Sequence, residues 1–363
     1  MDNPYATAPK SAFWSNAVAQ RNALAIEGLW DPKFDLRPQH RILTAGSCFA
    51  QHLGRALESR GYQWFEAERA PPIASEELLA RYGYRQFSFR TGNIYTTALL
   101  KQWLQWARGD AQPPAEFWEH DGRFFDPFRP NIEPDGFASV DELLASREVT
   151  LGAIRSGLAE AKVFAYTLGL TEAWVNKTAG HVYPMCPGTL RGRFDPAAHE
   201  FRNFRYLDVL RDLRESIEIV KGSNRAMRFL LTVSPVPLTA TATDHHVLVA
   251  TSYSKSTLRA VAGDLALRND TDYFPSYELI AGVPFRSMFF EPNLRSVAPA
   301  GVEFVMREFF GSLERKFPRQ ASPSAVSDDQ SVPRVALPGT RAGAKGVACD
   351  DELLDAFGQR ETP

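Results

Sequence analysis

The stretch that decides the fold is "RILTAGSCFAQHLGRALESRGY", residues 41–62. Ile42 to Ala45 read as a short buried strand. From Phe49 the apolar spacing becomes helical, with Phe49, Leu53 and Leu57 on one face of a helix expected to run to about Arg60. Gly46 stands where the chain must bend sharply, and a missing Cβ permits that bend. Ser47 then has two readings. It is the N-cap of the helix, or it is a nucleophile held at a positive helix end at the sheet edge.

Working outward, strands and helices alternate along the chain. "YQWFEAE" reads as a second strand, "AKVFAYTLGL" as a third and "RFLLTVSPVP" as a fourth that its prolines stop. Leu99, Leu100, Trp103, Leu104 and Trp106 mark an amphipathic helix in "TALLKQWLQWAR". Further helices are expected in "YLDVLRDLRESIEIVKG", "YSKSTLRAVAGDLALRN" and "GVEFVMREFFGSLERKF". The alternation predicts a three-layer α/β/α sandwich around a mainly parallel sheet. In a flavodoxin-like strand order the first and third strands flank the switch point where ligands bind. The turn at Gly46-Ser47-Cys48 should therefore meet the turn at Gly169-Leu170-Thr171-Glu172.

Composition bounds the rest. The 363 residues are 44% hydrophobic and 23% charged with a net charge of −2, an ordinary globular balance that points to neither nucleic acid nor an anionic membrane. No apolar run approaches the ~20 residues of a membrane span, and the first residues lack a leader's pattern, so a cytoplasmic location is the expectation. Cys48, Cys186 and Cys349 are odd in number and scattered, suggesting neither a disulfide framework nor a metal site. No cofactor is expected. Residues 1–317 are read as one domain. Residues 318–363 are read as a disordered tail, rich in Pro, Ser, Ala and Gly, in which "DDELLDAFGQR" is able to form one short helix.

Six blocks in order, "TAGSCFAQHLGRAL", "TGNIYTT", "TLGLTEAW", "TVSPVPLTAT", "YSKSTLRAVA" and "DYFPSYELI", resemble the GSCFA domain family. The likeness runs from roughly Asn3 to Phe317. That family is regarded as related to the SGNH/GDSL hydrolases, three-layer enzymes that attack esters, often acyl groups on carbohydrates. The resemblance implies an esterase or acyltransferase acting on a small-molecule or carbohydrate ester. It makes Ser47 the nucleophile, with its own N–H as one oxyanion donor. Gly92 and Asn93 stand where a second donor is expected. Gly169 matches the glycine of the Gly-x-Asn-Asp block, while Thr171 and Glu172 replace its polar pair.

One departure is large. Where an Asp-x-x-His should supply the base, this chain has Asn293 and Ser296, and no histidine follows His246. A serine hydroxyl needs an adjacent base. His246, with His245 as its alternative, lies in the loop expected to leave the fourth strand at the edge that carries Ser47. Lys255 begins the following helix and is a further candidate. Cys48 is either a packing residue or a thiol activated by the helix end. A binding protein that keeps the pocket without the base is the competing reading.

Overall fold

The computed structural model describes residues 3–319 and 350–358. The disorder expected over most of the tail therefore lies outside the described residues, whereas the short terminal helix does form at Asp355–Gly358, after a 3-10 turn at Asp350–Leu354. Among the described residues nine strands form, in chain order: β1 Ile42–Gly46, β2 Trp118–His120, β3 Arg123–Phe125, β4 Val163–Leu168, β5 Glu172–Asn176, β6 Val182–Tyr183, β7 His199–Asn203, β8 Arg228–Val233 and β9 Thr271–Tyr273. The α-helices are α1 Phe49–Ser59, α2 Glu76–Arg81, α3 Thr97–Arg108, α4 Val140–Glu160, α5 Tyr206–Ser223, α6 Val247–Leu265, α7 Ser276–Ala281, α8 Pro299–Lys316 and the terminal α9.

The central sheet is parallel, in the order β1-β4-β8-β9. Its strands are buried on both faces, as parallel strands under crossover helices must be. Alternation then divides the core. Leu43, Ala45, Phe164, Tyr166, Phe229 and Leu231 face a cluster with residues of α3 to α6. Ile42, Val163, Ala165 and Leu230 face the opposite cluster with residues of α1, α7 and α8. The three layers follow from that division. Two small antiparallel sheets, β2-β3 and β6-β5-β7, decorate the body.

The expected helix at residues 97–108 has the caps its sequence calls for. The Thr96 hydroxyl accepts from the Leu99 N–H at 3.3 Å, and Gly109 ends the helix with φ +86°.

The expected second strand does not form. "YQWFEAE" makes one parallel bridge, Trp64 to Ile42, and then leaves. Ser88 takes its place: the Ser88 N–H donates to the Thr44 carbonyl, and the Ser88 hydroxyl accepts from the Thr44 N–H. The edge of β1 is thus occupied by a loop residue, and the downstream Ala67 and Glu68 amides turn to the Ser88 carbonyl instead.

Gly46 ends β1 with φ +130°, and a Cβ there would lie 2.3 Å from the Thr167 carbonyl oxygen. Both the backbone conformation and the space demand glycine. Gly46→Ala is expected to cost at least about 2 kcal/mol through backbone strain and overpacking. Urea unfolding monitored by circular dichroism reads this, and an unchanged midpoint would contradict the steric argument.

Candidate active site

The Ser47 turn and the Gly169 turn do meet. A Cβ placed on Gly169 would be 3.1 Å from the Cβ of Ser47. The segment around Tyr95 laces the two together through the backbone. The Ile94 N–H donates to the Gly46 carbonyl at 2.8 Å, and the Tyr95 carbonyl accepts from the N–H groups of Gly169 and Leu170 at 3.1 and 2.9 Å. Three stretches far apart in the chain are thereby fixed at the carboxyl edge of the sheet, beside the β1/β4 junction.

Ser47 is not the N-cap. Cys48 holds that position, without a side-chain cap bond. The Ser47 side chain is 2% exposed, and its Oγ has no hydrogen-bond partner among the described residues. A buried hydroxyl of this kind costs stability unless something else uses it. The backbone departs from expectation as well. The Ser47 N–H donates to the Thr167 carbonyl at 3.0 Å, so it is spent on the sheet and is not aimed at an oxyanion.

A narrow crevice of about 10 Å³, room for roughly one water, opens at Ser47 and is lined also by Cys48, Tyr95, Gly169, Ser234 and Lys255. Lys255 is 1% exposed, and its Nζ donates to the Gly169 carbonyl at 2.8 Å. It comes from the middle of α6, whose Ser254 hydroxyl accepts from the Thr171 N–H at 3.1 Å. Helix α6 is therefore pinned to the Gly169 turn by two adjacent residues.

The histidines stand elsewhere. His245 and His246 are exposed. His246 caps α6, its Nδ1 accepting from the Leu248 N–H at 3.2 Å. Nine residues separate it from Lys255, roughly 13 Å along a helix at 1.5 Å per residue, and neither histidine lines the crevice. His52 packs its ring against Phe49 on α1, and burial, aided by Arg55, lowers its pKa to about 4. Asn293 and Ser296 form an exposed local turn, in which the Asn293 side chain bonds Ser296 and the amides of Arg295 and Ser296.

The remaining predicted residues divide between two places. Gly92 lies half-buried with φ +69° and nothing within 4 Å of where a Cβ would project. Asn93 is buried, and its Nδ2 donates to the Asp350 carboxylate at 2.6 Å. The Thr171 hydroxyl donates to the Asn203 side chain at 2.7 Å, and Thr171 does not line the Ser47 crevice. Glu172 accepts from the Thr241 hydroxyl at 2.7 Å and from the Ala242 N–H at 3.3 Å. Burial raises its pKa, partly offset by those two donors.

Glu172 belongs to a larger cavity of about 310 Å³ next to the crevice. Tyr95 and Leu170 line both spaces. The cavity wall is mainly apolar, with Ala173, Trp174, Met185, Leu238 and Phe201, and the terminal segment contributes Asp350, Leu354 and Phe357. Asn131, which bonds Asp350 through its side-chain amide, was not legible in the sequence. It lies in a loop with no periodicity, and its partner is 219 positions away.

Cys48 takes neither of its expected roles. It is buried and disulfide-bonded, so it is neither a packed free thiol nor an activated one. Cys186 is a free thiol beside the larger cavity, and burial pushes its pKa to about 11. Such a thiol is a poor nucleophile near neutral pH. Among the described residues no group of acids, histidines and cysteines is placed to hold a metal ion, and no helix is long and apolar enough to cross a membrane.

No curated protein matches the chain. A family match exists: residues 41–309, from the first residue before β1 into α8, match the GSCFA family. That span holds Ser47, Asn93, Gly169 and Lys255 and exceeds half of the 363 residues, so the chain belongs to the GSCFA family.

Proposed function

We propose that the protein is a serine acyl hydrolase or acyltransferase of the SGNH type, acting on an acylated carbohydrate or a polysaccharide precursor. The observation that carries the proposal is the Ser47 hydroxyl. It is buried, caps nothing, has no partner among the described residues, and opens on a crevice that also holds a buried amine. Capping, the ordinary reason for a serine at this point, is removed.

In this reading Ser47 Oγ attacks the ester carbonyl carbon. Its proton passes to Lys255 Nζ, which must enter the step as the neutral amine, as in serine–lysine dyads. The Asn93 amide, once released from Asp350, is the side-chain donor assigned to the oxyanion, with Gly92 beside it in sequence. The C–O bond to the alcohol breaks, and Lys255 returns the proton to that oxygen. Water then hydrolyses the acyl-serine, or an acceptor hydroxyl takes the acyl group. The larger cavity supplies apolar room for the acyl chain. Ester binding needs no cofactor or metal in this scheme.

Two observations favour a second reading, a protein that binds an ester or carbohydrate without reacting. The Ser47 N–H is committed to Thr167, and no histidine lines the crevice. Labelling with a serine-directed fluorophosphonate separates the two. Adduct mass on Ser47 supports the enzyme; an unlabelled, folded protein supports the binder.

His246→Ala is expected to leave ester turnover within about twofold and stability within about 0.5 kcal/mol, since the residue is exposed at a helix tip. A hundredfold fall in turnover would restore it as the base. A cytoplasmic site of action is part of the proposal, and the Cys48 disulfide counts against it, because disulfides persist mainly in oxidising compartments. Fractionation of cells producing the protein checks this, and recovery outside the cytosol would overturn it.

A further inference from the structure

Two side-chain amides converge on the carboxylate of Asp350, a residue of the larger cavity's wall. Asn93 Nδ2 donates to Asp350 Oδ2 at 2.6 Å, and Asn131 Nδ2 donates to Oδ1 of the same group. The Asp350 N–H donates to the Tyr95 hydroxyl at 3.1 Å. Arg295, only 9% exposed, meets Glu352 from the same segment at 3.3 Å. Asn93 is itself 3% exposed, so this seat belongs to the body and is not an accident of its surface. We propose that Asn93 and Asn131 form a carboxylate-binding seat for a medium-chain carboxylate whose apolar chain enters the adjoining cavity, and that Asp350 is its resident competitor in cis.

The chemistry follows from what surrounds the seat. Two donors, one for each oxygen, match a carboxylate, and hydrogen bonds to an ionised acceptor are about twice as strong as neutral ones. Asp350 itself lines the 310 Å³ cavity, so an anion seated there points its substituent at Leu170, Trp174, Met185 and Leu238. A space of that size lies at the small end of ligand pockets, about 300–1,000 Å³.

The terminal segment has two single turns of helix, too short to be stable alone. Leu353 and Phe357 are 40% and 45% exposed. Its bonds to Asn93, Asn131, Tyr95 and Arg295 are made within one chain, at an effective concentration that a free ligand has to match.

The inference does not require Ser47 to react, so its test is equilibrium binding of octanoate to the full chain by titration calorimetry. Asp350→Ala should bind octanoate at least tenfold more tightly than the unaltered protein. Asp350→Asn, which keeps the shape and loses the charge, should gain in the same direction. Adding Asn131→Ala to Asp350→Ala should reverse the gain. Octanol, which fills the cavity without an anion, should gain less than threefold. Equal octanoate affinity in all variants would overturn the seat. An octanol gain as large as that of octanoate would overturn it too, leaving an apolar cavity only.

Discussion

Ser47→Ala is expected to lower ester turnover by at least about 10⁴-fold while making the protein slightly more stable. The first effect follows from the nucleophilic role proposed for Ser47, and groups of one relay each cost nearly as much as all together. Lys255→Met keeps most of the buried length of the side chain and removes the amine. It should lower turnover by about 10²–10⁴-fold, the usual contribution of a positioned base. The double variant should lose little beyond Ser47→Ala alone. The second effect has the opposite sign because the Ser47 Oγ has no partner among the described residues. Deleting a buried hydroxyl that bonds nothing relieves a desolvation cost, for a gain of about 1 kcal/mol. Thermal unfolding of Ser47→Ala beside an ester assay reads both. A loss of more than 1 kcal/mol would show that Ser47 is structural after all, whatever the assay gives.

A larger stability effect, of the opposite sign, is expected away from the site. Asp126, Arg129 and Arg147 form a buried triad, each at most 2% exposed. Asp126 accepts from Arg129 Nε at 2.8 Å and from Arg147 Nη2 at 2.9 Å. Arg129 also reaches the Thr150 hydroxyl at 2.6 Å and Arg147 reaches the Glu116 carbonyl at 3.2 Å, so the cluster ties the loop after β3 to α4. Burial by itself would raise the Asp126 carboxyl, but the two guanidinium groups hold it below the ordinary carboxylate value. Asp126→Asn leaves two buried cations without their counter-charge, and breaking a buried pair from one side costs about 3–5 kcal/mol. The pH dependence has a defined sign. A carboxyl depressed in the folded state contributes its stability above the unfolded value, about 3.9, and loses it as pH falls through the folded one. Acid unfolding of Asp126→Asn should therefore be shallower than that of the unaltered protein. Parallel acid transitions, or a cost under 1 kcal/mol at neutral pH, would mean that the triad is neutral in the energetics.

What the sequence reveals here is local pattern and topology. The change of period at Gly46 places β1 and α1 within a residue of where they lie, because both elements bury one regular face. The meeting of Ser47 and Gly169 follows from strand order alone. What stays hidden is decided by competition between distant groups. "YQWFEAE" has the composition of a strand, yet Ser88 satisfies the Thr44 backbone first. The loop after β8 emerges at the expected edge, but α6 presents Lys255 inward and leaves His246 at its tip, a rotation that apolar spacing does not set. Cys48 has a disulfide that an odd count of scattered cysteines conceals. The tail's acid meets Asn93 and Asn131 across 257 and 219 positions, a pairing with no local signal.

The lacing of Gly46, Ile94, Tyr95 and Gly169 has a kinetic consequence. Each of these backbone bonds closes a loop of tens of residues or more, and none is made within a single element. Parallel pairing of β1 with β4 already joins positions about 120 apart. Contacts of such separation form late, because the loop entropy is lost before the contact repays it. Chains that have collapsed and formed their helices will still lack an assembled crevice. Appearance of Ser47 reactivity during refolding would then trail the helical signal, and would time the moment at which the sheet closes.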